Sequence, residues 1–263
     1  PAAISIEILD SKGELVRRFA SDEKPKPPDL ARIQITPDWV AVAEPPGTSP
    51  GGHRFVWDLH YALPEELQSA SSFRNSGAWA PPGRYAVRLT AAGTTWSQPL
   101  VVAKDPRITA SDGDLLSEFR LVHEVQAERV RIAAARRQAE ALRKQAAALH
   151  SRAVPPAADE LTSFEKRMEE IAGPSGPPTL EELFGQASGP QKSLRRLSTT
   201  LARFQSAVES ADAAPTADAL AGWRHHRQEV SDSLAAWREL LESGLARLNR
   251  SLESSGLSPL TKE

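Results

Sequence analysis

The sequence changes its pattern abruptly near residue 107, and this change constrains the fold more than any other feature. Nine of the fifteen Phe, Tyr and Trp residues lie before that point among frequent Pro and Gly, whereas Ala, Leu, Arg, Glu and Ser dominate after it. Pro106 ends the last strand-like run, because proline lacks the N–H that a strand or a helix interior needs. The chain of 263 residues therefore predicts two domains, 1–106 and 107–263.

The first domain is predicted to be all β. Ile4, Ile6 and Ile8 alternate with polar residues, which indicates a half-buried strand, and a turn is expected at 10–13. Similar patterns predict further strands at 15–19, 33–35, 39–42, 53–57, 85–90, 94–97 and 100–102. The segments 25–28 and 64–82 are expected to be long loops. Roughly seven short strands in about 100 residues are typical of an immunoglobulin-like β-sandwich.

The second domain has helical periodicity. Apolar residues three or four apart form a narrow packing seam at Leu194, Leu197, Leu201, Phe204 and Val208. The other helices are expected at about 112–151, around 161–171 and from about 223 to 252. The first of these is less regular, with a stripe at Leu115, Phe119, Val122, Val130 and Ala133. About four such helices, joined by Pro-bearing connectors, predict an antiparallel helical bundle.

Capping residues support these helix boundaries. Ser111 with Asp114, and Thr179 with Glu182, have the spacing of a capping box. Pro190 suits a first helical position. The C-terminal caps are expected at Gly173 and Gly256.

Short motifs in a particular order resemble a known family. The hairpin at 4–19, Val-Trp-Asp-Leu at 56–59 and Pro-Gly-Arg-Tyr-Ala-Val at 82–87 resemble the immunoglobulin-like domain of flagellar hook-capping proteins. Followed by Asp-Pro-Arg at 105–107 and a helical tail, they look like the C-terminal region of bacterial sortilin-type β-propeller proteins with BNR (Asp-box) repeats. The tail segments 211–216 and 248–252 strengthen this likeness.

The resemblance implies an exported bacterial protein, periplasmic, on the outer surface or extracellular. Its propeller would precede residue 1 and would hold any hydrolase or peptide-binding site. This chain is then expected to be a non-catalytic accessory region that docks on the upstream propeller or on a protein partner, with self-association through the bundle as a further possibility. The Gly93–Trp96 segment ends like an Asp-box, but Leu89 and Ala91 stand where that motif needs Ser or Thr and then Asp.

No catalytic residue, cofactor or metal site is predicted. The chain has no cysteine, which excludes thiolate chemistry. The paired carboxylates at 65–66, 169–170 and 181–182 lie in charged surroundings that predict solvated roles. His53, Asp58 and His60 form a loose cluster, whereas the neighbours His225 and His226 point about 100° apart on a helix and are not expected to chelate together.

The charge balance does not favour nucleic acid or membranes as partners. The net charge is -2, from 32 basic and 34 acidic residues, and no run of apolar residues is long enough to cross a bilayer. The helix from Arg129 to Lys144 is rich in cations, but acidic residues are interspersed and no aromatic residue is interleaved. A solvated helix face is therefore expected there.

Trp79 is the main candidate for a docking or ligand-binding side chain. It is expected in a Pro-bearing loop where a core role is not obvious. Trp57 is expected to face the sandwich core, and the Tyr85 hydroxyl to anchor a loop; both are secondary candidates. An accessory interaction region is thus the first hypothesis. A carbohydrate-binding module attached to a glycosyl hydrolase is the alternative, and a hydrolase in its own right is the third.

Overall fold

The computed structural model describes residues 2–23, 36, 44–68, 76–176 and 192–262. The strands predicted at 33–35 and 39–42, Thr179 with its capping box, and Pro190 lie outside these residues. Two compact units are present. The sheet unit consists of Pro1–His123 with Ala211–Pro215, and the helical unit of Glu124–Ser210 with Thr216–Glu263.

The sheet unit contains six described strands in two antiparallel sheets. Strands β1, β2, β5 and β6 form the larger sheet in the order β2-β1-β5-β6, and β3 pairs with β4. A 3₁₀ turn, Glu65–Leu67, lies between β3 and β4. The strand bounds are β1 Ile4–Leu9, β2 Leu15–Ala20, β3 His60–Ala62, β4 Ser76–Trp79, β5 Gly83–Ala91 and β6 Thr94–Val102.

Two hairpins follow the turn chemistry predicted for them. Between β1 and β2, the Asp10 Oδ1 atom accepts hydrogen bonds from the backbone N–H groups of Lys12 and Glu14, at 2.8 and 2.9 Å. Gly13 has a φ of 82°, which glycine adopts without steric cost. Between β5 and β6, Ala92 and Gly93 also have positive φ, as a tight two-residue hairpin turn requires.

Three strand predictions were wrong. No strand forms at 53–57; the next strand is β3 at His60. Pro99 does not separate two strands but lies within β6 opposite Ala86, which is tolerated because β6 is an edge strand. Strand β4 lies within the segment expected to be a loop. Its Gly77 is needed because a Cβ there would come within 2.7 Å of the Tyr61 carbonyl oxygen.

Both sheets contribute to the core of the sheet unit. Ile8 and Val16 come from the larger sheet and Ala80 follows β4; with Tyr85 they form a buried cluster. Partly buried side chains complete it: Ile6, Phe19, Trp57, Tyr61, Val87, Leu100 and Val102. Tyr61 also contacts the ring of Phe119, with ring centroids 4.9 Å apart.

Four helices were predicted, and the described residues form four continuous helices. They are α1 Asp112–Ala147, α2 Ala157–Ala172, α3 Leu194–Val208, and α4 Ala217–Glu239 continued by a π-helical segment Leu240–Gly244 into α5 Leu245–Ser254. The capping box at α1 is confirmed, since the Ser111 Oγ accepts from the Asp114 N–H at 3.1 Å and donates to its carboxylate at 2.8 Å. Gly173 and Gly256 have φ of 84° and 71°, as expected of C-terminal caps.

The helical core follows the predicted seams except in α1 and at the end of α3. In α1, the buried residues between Val122 and Leu142 include Val125, Ile132, Ala135 and Ala139 rather than Val130 and Ala133. Alanine is too small to mark which face is buried. In α3, Gln205 is buried whereas Phe204 is only half-buried.

The π-helical segment has a signal in the sequence. The apolar residues Trp237, Leu241 and Leu245 are separated by two successive steps of four, which rotate an α-helical stripe by about 40° each. The wider π turn absorbs this rotation, and all three side chains stay buried. None of the described helices is long and apolar enough to cross a membrane.

Candidate functional site

The pairing of β3 with β4 brings an imidazole and an indole together at the surface of the sheet unit. His60 is the register partner of Trp79, and their ring centroids are 3.7 Å apart with an interplanar angle of 36°. Trp79 remains 50% exposed. No residue in the described part of the chain accepts a hydrogen bond from its indole N–H.

Asp58 holds His60 in this position. The His60 Nδ1 lies 2.8 Å from the Asp58 carbonyl oxygen, and a carbonyl oxygen can only accept. Nδ1 must therefore carry the proton, which leaves Nε2 as an acceptor when the ring is neutral. The Asp58 carboxylate also accepts from the His60 backbone N–H at 3.2 Å.

The same carboxylate connects three segments. Its Oδ1 lies 3.7 Å from the Arg17 Nη1 on β2, and its Oδ2 accepts from the Ser76 hydroxyl on β4 at 3.3 Å. Arg17 also donates to the Tyr61 carbonyl oxygen at 3.3 Å. We call Arg17, Asp58, His60, Ser76 and Trp79 together the Trp79 surface.

Leu59, which lies between Asp58 and His60 of this surface, has a strained backbone. Leu59 has a φ of 59°, a left-handed conformation that costs a bulky residue roughly 1–3 kcal/mol. Its carbonyl oxygen accepts from the Ala80 N–H at 2.7 Å, which ties the segment before β3 to the end of β4. Such strain persists where the surroundings require it, and it accumulates at binding sites.

Trp57 and Tyr85 form hydrogen bonds with backbone carbonyl groups next to the Trp79 surface. Trp57 is half-buried, contacts the Tyr85 ring edge-on at 5.7 Å, and donates from its indole N–H to the His60 carbonyl oxygen at 2.9 Å. The Tyr85 hydroxyl donates to the Pro81 carbonyl oxygen at 2.7 Å, which anchors the loop between β4 and β5. Burial raises the pKa of Tyr85 well above its ordinary value, and the neighbouring Tyr61 raises it further.

The sequence analysis named the exposed member of this surface but not its neighbours' roles. Trp79 was identified because it was expected in a Pro-bearing loop without an obvious core role, although it lies in strand β4 and not in a loop. His60 and Asp58 were grouped with His53, but the His53 Nε2 instead lies 2.6 Å from the Ser49 carbonyl oxygen. The stacking of His60 on Trp79 depends on the register of β3 with β4, and that register has no clear signal in the sequence.

Exposed apolar side chains are concentrated in the sheet unit. Of the ten large hydrophobic side chains that are exposed in the described part of the chain, eight belong to it. Leu89 and Trp96 are register partners on β5 and β6, and they are 38% and 52% exposed. From the sequence, Trp96 was considered only as part of a strand and as the end of an Asp-box-like segment, and not as a candidate for binding.

The cation-rich part of α1 is partly neutralised within the chain. The Arg129 Nη1 donates to the Gln205 Oε1 at 2.6 Å. Arg131 and Arg143 form ion pairs with Glu128 and Glu140, three residues earlier in each case. Burial lowers the pKa of Arg129. Among the carboxylate pairs, Glu169 and Glu170 are exposed on α2, as expected, and 181–182 lie outside the described residues.

One group of possible metal ligands is present within the described ranges, and it is on α4. The ligand atoms of His225, His226 and Glu229 all lie within 4.8 Å of one another. The expected divergence of the two histidines applies to their Cβ directions. Their side chains are long enough to converge on the carboxylate one turn later.

Comparison with protein-family models, with curated proteins and with solved structures gave no match. The resemblance to sortilin-type propeller proteins therefore stays a prediction based on the motifs alone.

Proposed function

We propose that this chain is a non-catalytic accessory region that binds another protein surface through its sheet unit. The observation that carries the proposal is Trp79, half-exposed on a strand and held rigidly by His60 and Asp58. Rigid aromatic side chains contribute large contact areas at a low cost in conformational entropy, and they dominate the energetics of many interfaces.

The distribution of exposed apolar residues supports the sheet unit as the binding part. Isolated apolar side chains on a surface need no explanation. Here, however, Trp79, Trp96 and Leu89 expose large areas within one unit, whereas the helical unit exposes only Val154 and Leu220 among its large described hydrophobic residues. In this proposal the helical unit contributes stability and not binding surface, and self-association is a further role for it.

The finer architecture belongs to the same proposal. We propose that the two sheets form an immunoglobulin-like sandwich, because β2 and β3 are in contact and both sheets supply side chains to one core. We propose an antiparallel bundle for the helices, because α2 contacts α3, α4 and α5. The partner implied by the family resemblance is a β-propeller in the same polypeptide, in an exported bacterial protein.

Hydrogen exchange tests this proposal. The chain alone is compared with the same chain joined to the polypeptide that its gene encodes before residue 1. We expect slower exchange in β4 and in the β5–β6 hairpin of the longer protein, and loss of the β4 protection in Trp79→Ala. Unchanged exchange on both units, or a gene without propeller repeats before residue 1, contradicts the proposal.

A carbohydrate-binding module is the second candidate, and the arrangement around Trp79 favours it specifically. Sugar rings stack on exposed indoles, and the Trp79 N–H, the His60 Nε2 and the Asp58 carboxylate are suitable hydrogen-bonding partners for hydroxyl groups. Glycan-array binding by the wild-type chain distinguishes this candidate from the first.

Trp96→Ala is the matched control for that experiment, because Trp96 is as exposed as Trp79 but belongs to the hairpin of β5 and β6. A carbohydrate site at the Trp79 surface predicts binding that is lost in Trp79→Ala and retained in Trp96→Ala. An array without binding at high protein concentration eliminates the carbohydrate candidate and leaves the protein-docking proposal in place.

A further inference from the structure

The exposed side of α4 carries three potential metal ligands within one helical turn. The Glu229 carboxylate oxygens lie 3.5 Å from the His225 Nε2 and 3.1 Å from the His226 Nδ1. The two imidazole rings are 5.6 Å apart between centroids. Glu229 follows these residues by four and three positions, the spacings that place side chains on the same helix face.

The separations match the geometry of a small divalent cation. Zinc binds histidine nitrogen and carboxylate oxygen at about 2.0–2.2 Å, and the edges of a tetrahedron with such bonds are about 3.4 Å long. The nearest carboxylate oxygen of Glu229 lies at a similar distance from each histidine, with Oε1 3.5 Å from the His225 Nε2 and Oε2 3.1 Å from the His226 Nδ1. With one ligand atom taken from each residue, all three separations are within 4.8 Å, and the His225 side chain, 69% exposed, is free to rotate and shorten them.

Competing cations do not occupy the carboxylate. Within the described residues, the ion pairs of Glu229 are with these two imidazoles and not with an Arg or Lys side chain. The adjacent Arg227 points to Glu124 instead, at 3.9 Å. The Glu229 carboxylate is 20% exposed and faces two ring nitrogens.

The helix backbone around the three ligands is firmly held. Trp223 is 5% exposed and donates from its indole N–H to the Glu124 carboxylate at 2.9 Å. Val230 is fully buried at 0%, and the Ser233 hydroxyl donates to the Glu229 carbonyl oxygen at 2.9 Å. Metal binding therefore requires side-chain rotation and the loss of the proton that the His226 Nδ1 shares with the Glu229 carboxylate. It requires no movement of the helix backbone, which keeps its entropic cost low.

We propose that His225, His226 and Glu229 form a binding site for a divalent transition-metal ion of the zinc type. Two imidazoles and one carboxylate suit zinc and its neighbours in the first transition row, whereas magnesium and calcium prefer sites made only of oxygen ligands. Three protein ligands leave a coordination position for water or for a group from a binding partner. This site is separate from the Trp79 surface and does not depend on the function proposed for it.

Calorimetric titration of ZnCl₂ into the purified chain without a histidine tag tests the proposal. We expect one zinc ion per chain, and no comparable heat with MgCl₂ or CaCl₂. Glu229→Gln keeps the size of the side chain and should weaken zinc binding by roughly tenfold or more, since even residues outside the ligand shell contribute that much. The double variant His225→Ala/His226→Ala should abolish it.

His150→Ala is the matched control. His150 also pairs with a carboxylate, Glu165, at 2.8 Å, and its side chain is 51% exposed, but it has no second histidine beside it. Its replacement should leave zinc binding unchanged. Circular dichroism of each variant verifies that the helices are retained. The cobalt complex adds an independent measurement, with visible absorption bands that should disappear in Glu229→Gln.

Three results would each overturn the proposal. One is the absence of one-to-one zinc binding by the wild-type chain. Another is undiminished affinity in the folded His225→Ala/His226→Ala variant, which would place the zinc elsewhere. The last is an equal loss of affinity in His150→Ala, which would show that zinc binds to surface histidines in general.

Discussion

The sheet unit and the helical unit are stabilised by different kinds of contact. In the helical unit, long aliphatic side chains such as Leu142, Leu161, Leu201 and Leu248 are completely buried. In the described part of the sheet unit, the buried cluster contains Ile8, Val16, Ala80 and Tyr85, and partly buried aliphatic and aromatic side chains surround it. The fold of the sheet unit therefore depends more than that of the helical unit on directional hydrogen bonds, such as that from the Tyr85 hydroxyl to the Pro81 carbonyl oxygen.

This difference indicates where each unit can contribute to binding. A unit that buries its apolar side chains deeply has few left to offer a partner. The sheet unit instead keeps aromatic residues half in solvent, with Trp79 and Trp96 as the largest. We therefore expect mutations in the helical unit to affect mainly stability, and mutations at the Trp79 surface to affect mainly binding.

The largest expected effect is in the helical core. Leu248 is 0% exposed, and Leu248→Ala should lower the free energy of unfolding by about 2–5 kcal/mol, because it removes apolar contacts and leaves a cavity. Leu220 is the matched control on the same unit; it is 42% exposed, and Leu220→Ala should cost less than about 0.5 kcal/mol. Urea unfolding followed by far-ultraviolet circular dichroism measures both. Equal costs for the two variants would contradict the deep burial of the helical core.

The second effect concerns the directional contacts of the sheet unit. Tyr85→Phe removes the hydroxyl that donates to the Pro81 carbonyl oxygen, and it should cost about 1–3 kcal/mol, since a partly buried acceptor loses its donor. Urea unfolding followed by tryptophan fluorescence measures the loss. A cost below that of Leu220→Ala would show that the hydroxyl does not stabilise this unit.

The same residue predicts a loss of stability at alkaline pH. Burial raises the pKa of both Tyr85 and Tyr61 in the folded chain, so the unfolded chain loses these protons first, near pH 10. Stability is therefore retained below about pH 10 and falls as the pH rises further. The chain contains only 2 tyrosines, so absorbance at the tyrosinate band reports on these residues alone. We expect delayed ionisation in the folded chain, and a weaker alkaline destabilisation in Tyr85→Phe.

The parts of the fold that could be predicted were those determined by local patterns. The hairpin turn before β2 follows from Asp10 and Gly13, and the buried face of α2 follows from the spacing of Leu161, Phe164 and Met168. Strand β4 could not be predicted, because Ser-Gly-Ala-Trp has no β-branched residue and forms a strand only through pairing with β3. The same limit applied to Pro99, since its tolerance depends on β6 being an edge strand.

The candidate sites were predictable to a smaller extent. Trp79 could be singled out because a tryptophan in a polar, Pro-bearing segment is unusual. Its contact with His60 results from long-range strand register, which single-sequence patterns do not determine. For His225 and His226, the angular argument considered the helix geometry but not the length of the side chains or the position of Glu229. Side-chain convergence of this kind becomes evident only from coordinates.

The smallest effect compares a helix cap in each unit. Ser111 in the sheet unit accepts from the Asp114 N–H and donates to the Asp114 carboxylate. Thr216 in the helical unit accepts from the Ala219 N–H at 3.0 Å. Ala219 is the third residue of its helix and has no carboxylate that could form a second hydrogen bond with the cap. Ser111→Ala and Thr216→Ala should each cost about 1 kcal/mol near neutral pH. The hydrogen bonds from Ser111 lower the pKa of Asp114, so their contribution is present at neutral pH and is lost as the pH falls through that lowered pKa. Urea unfolding at pH 7 and pH 3 should therefore show the cost of Ser111→Ala decreasing in acid while that of Thr216→Ala persists. Identical pH dependence of the two costs would mean that the Asp114 carboxylate does not contribute to the cap of α1.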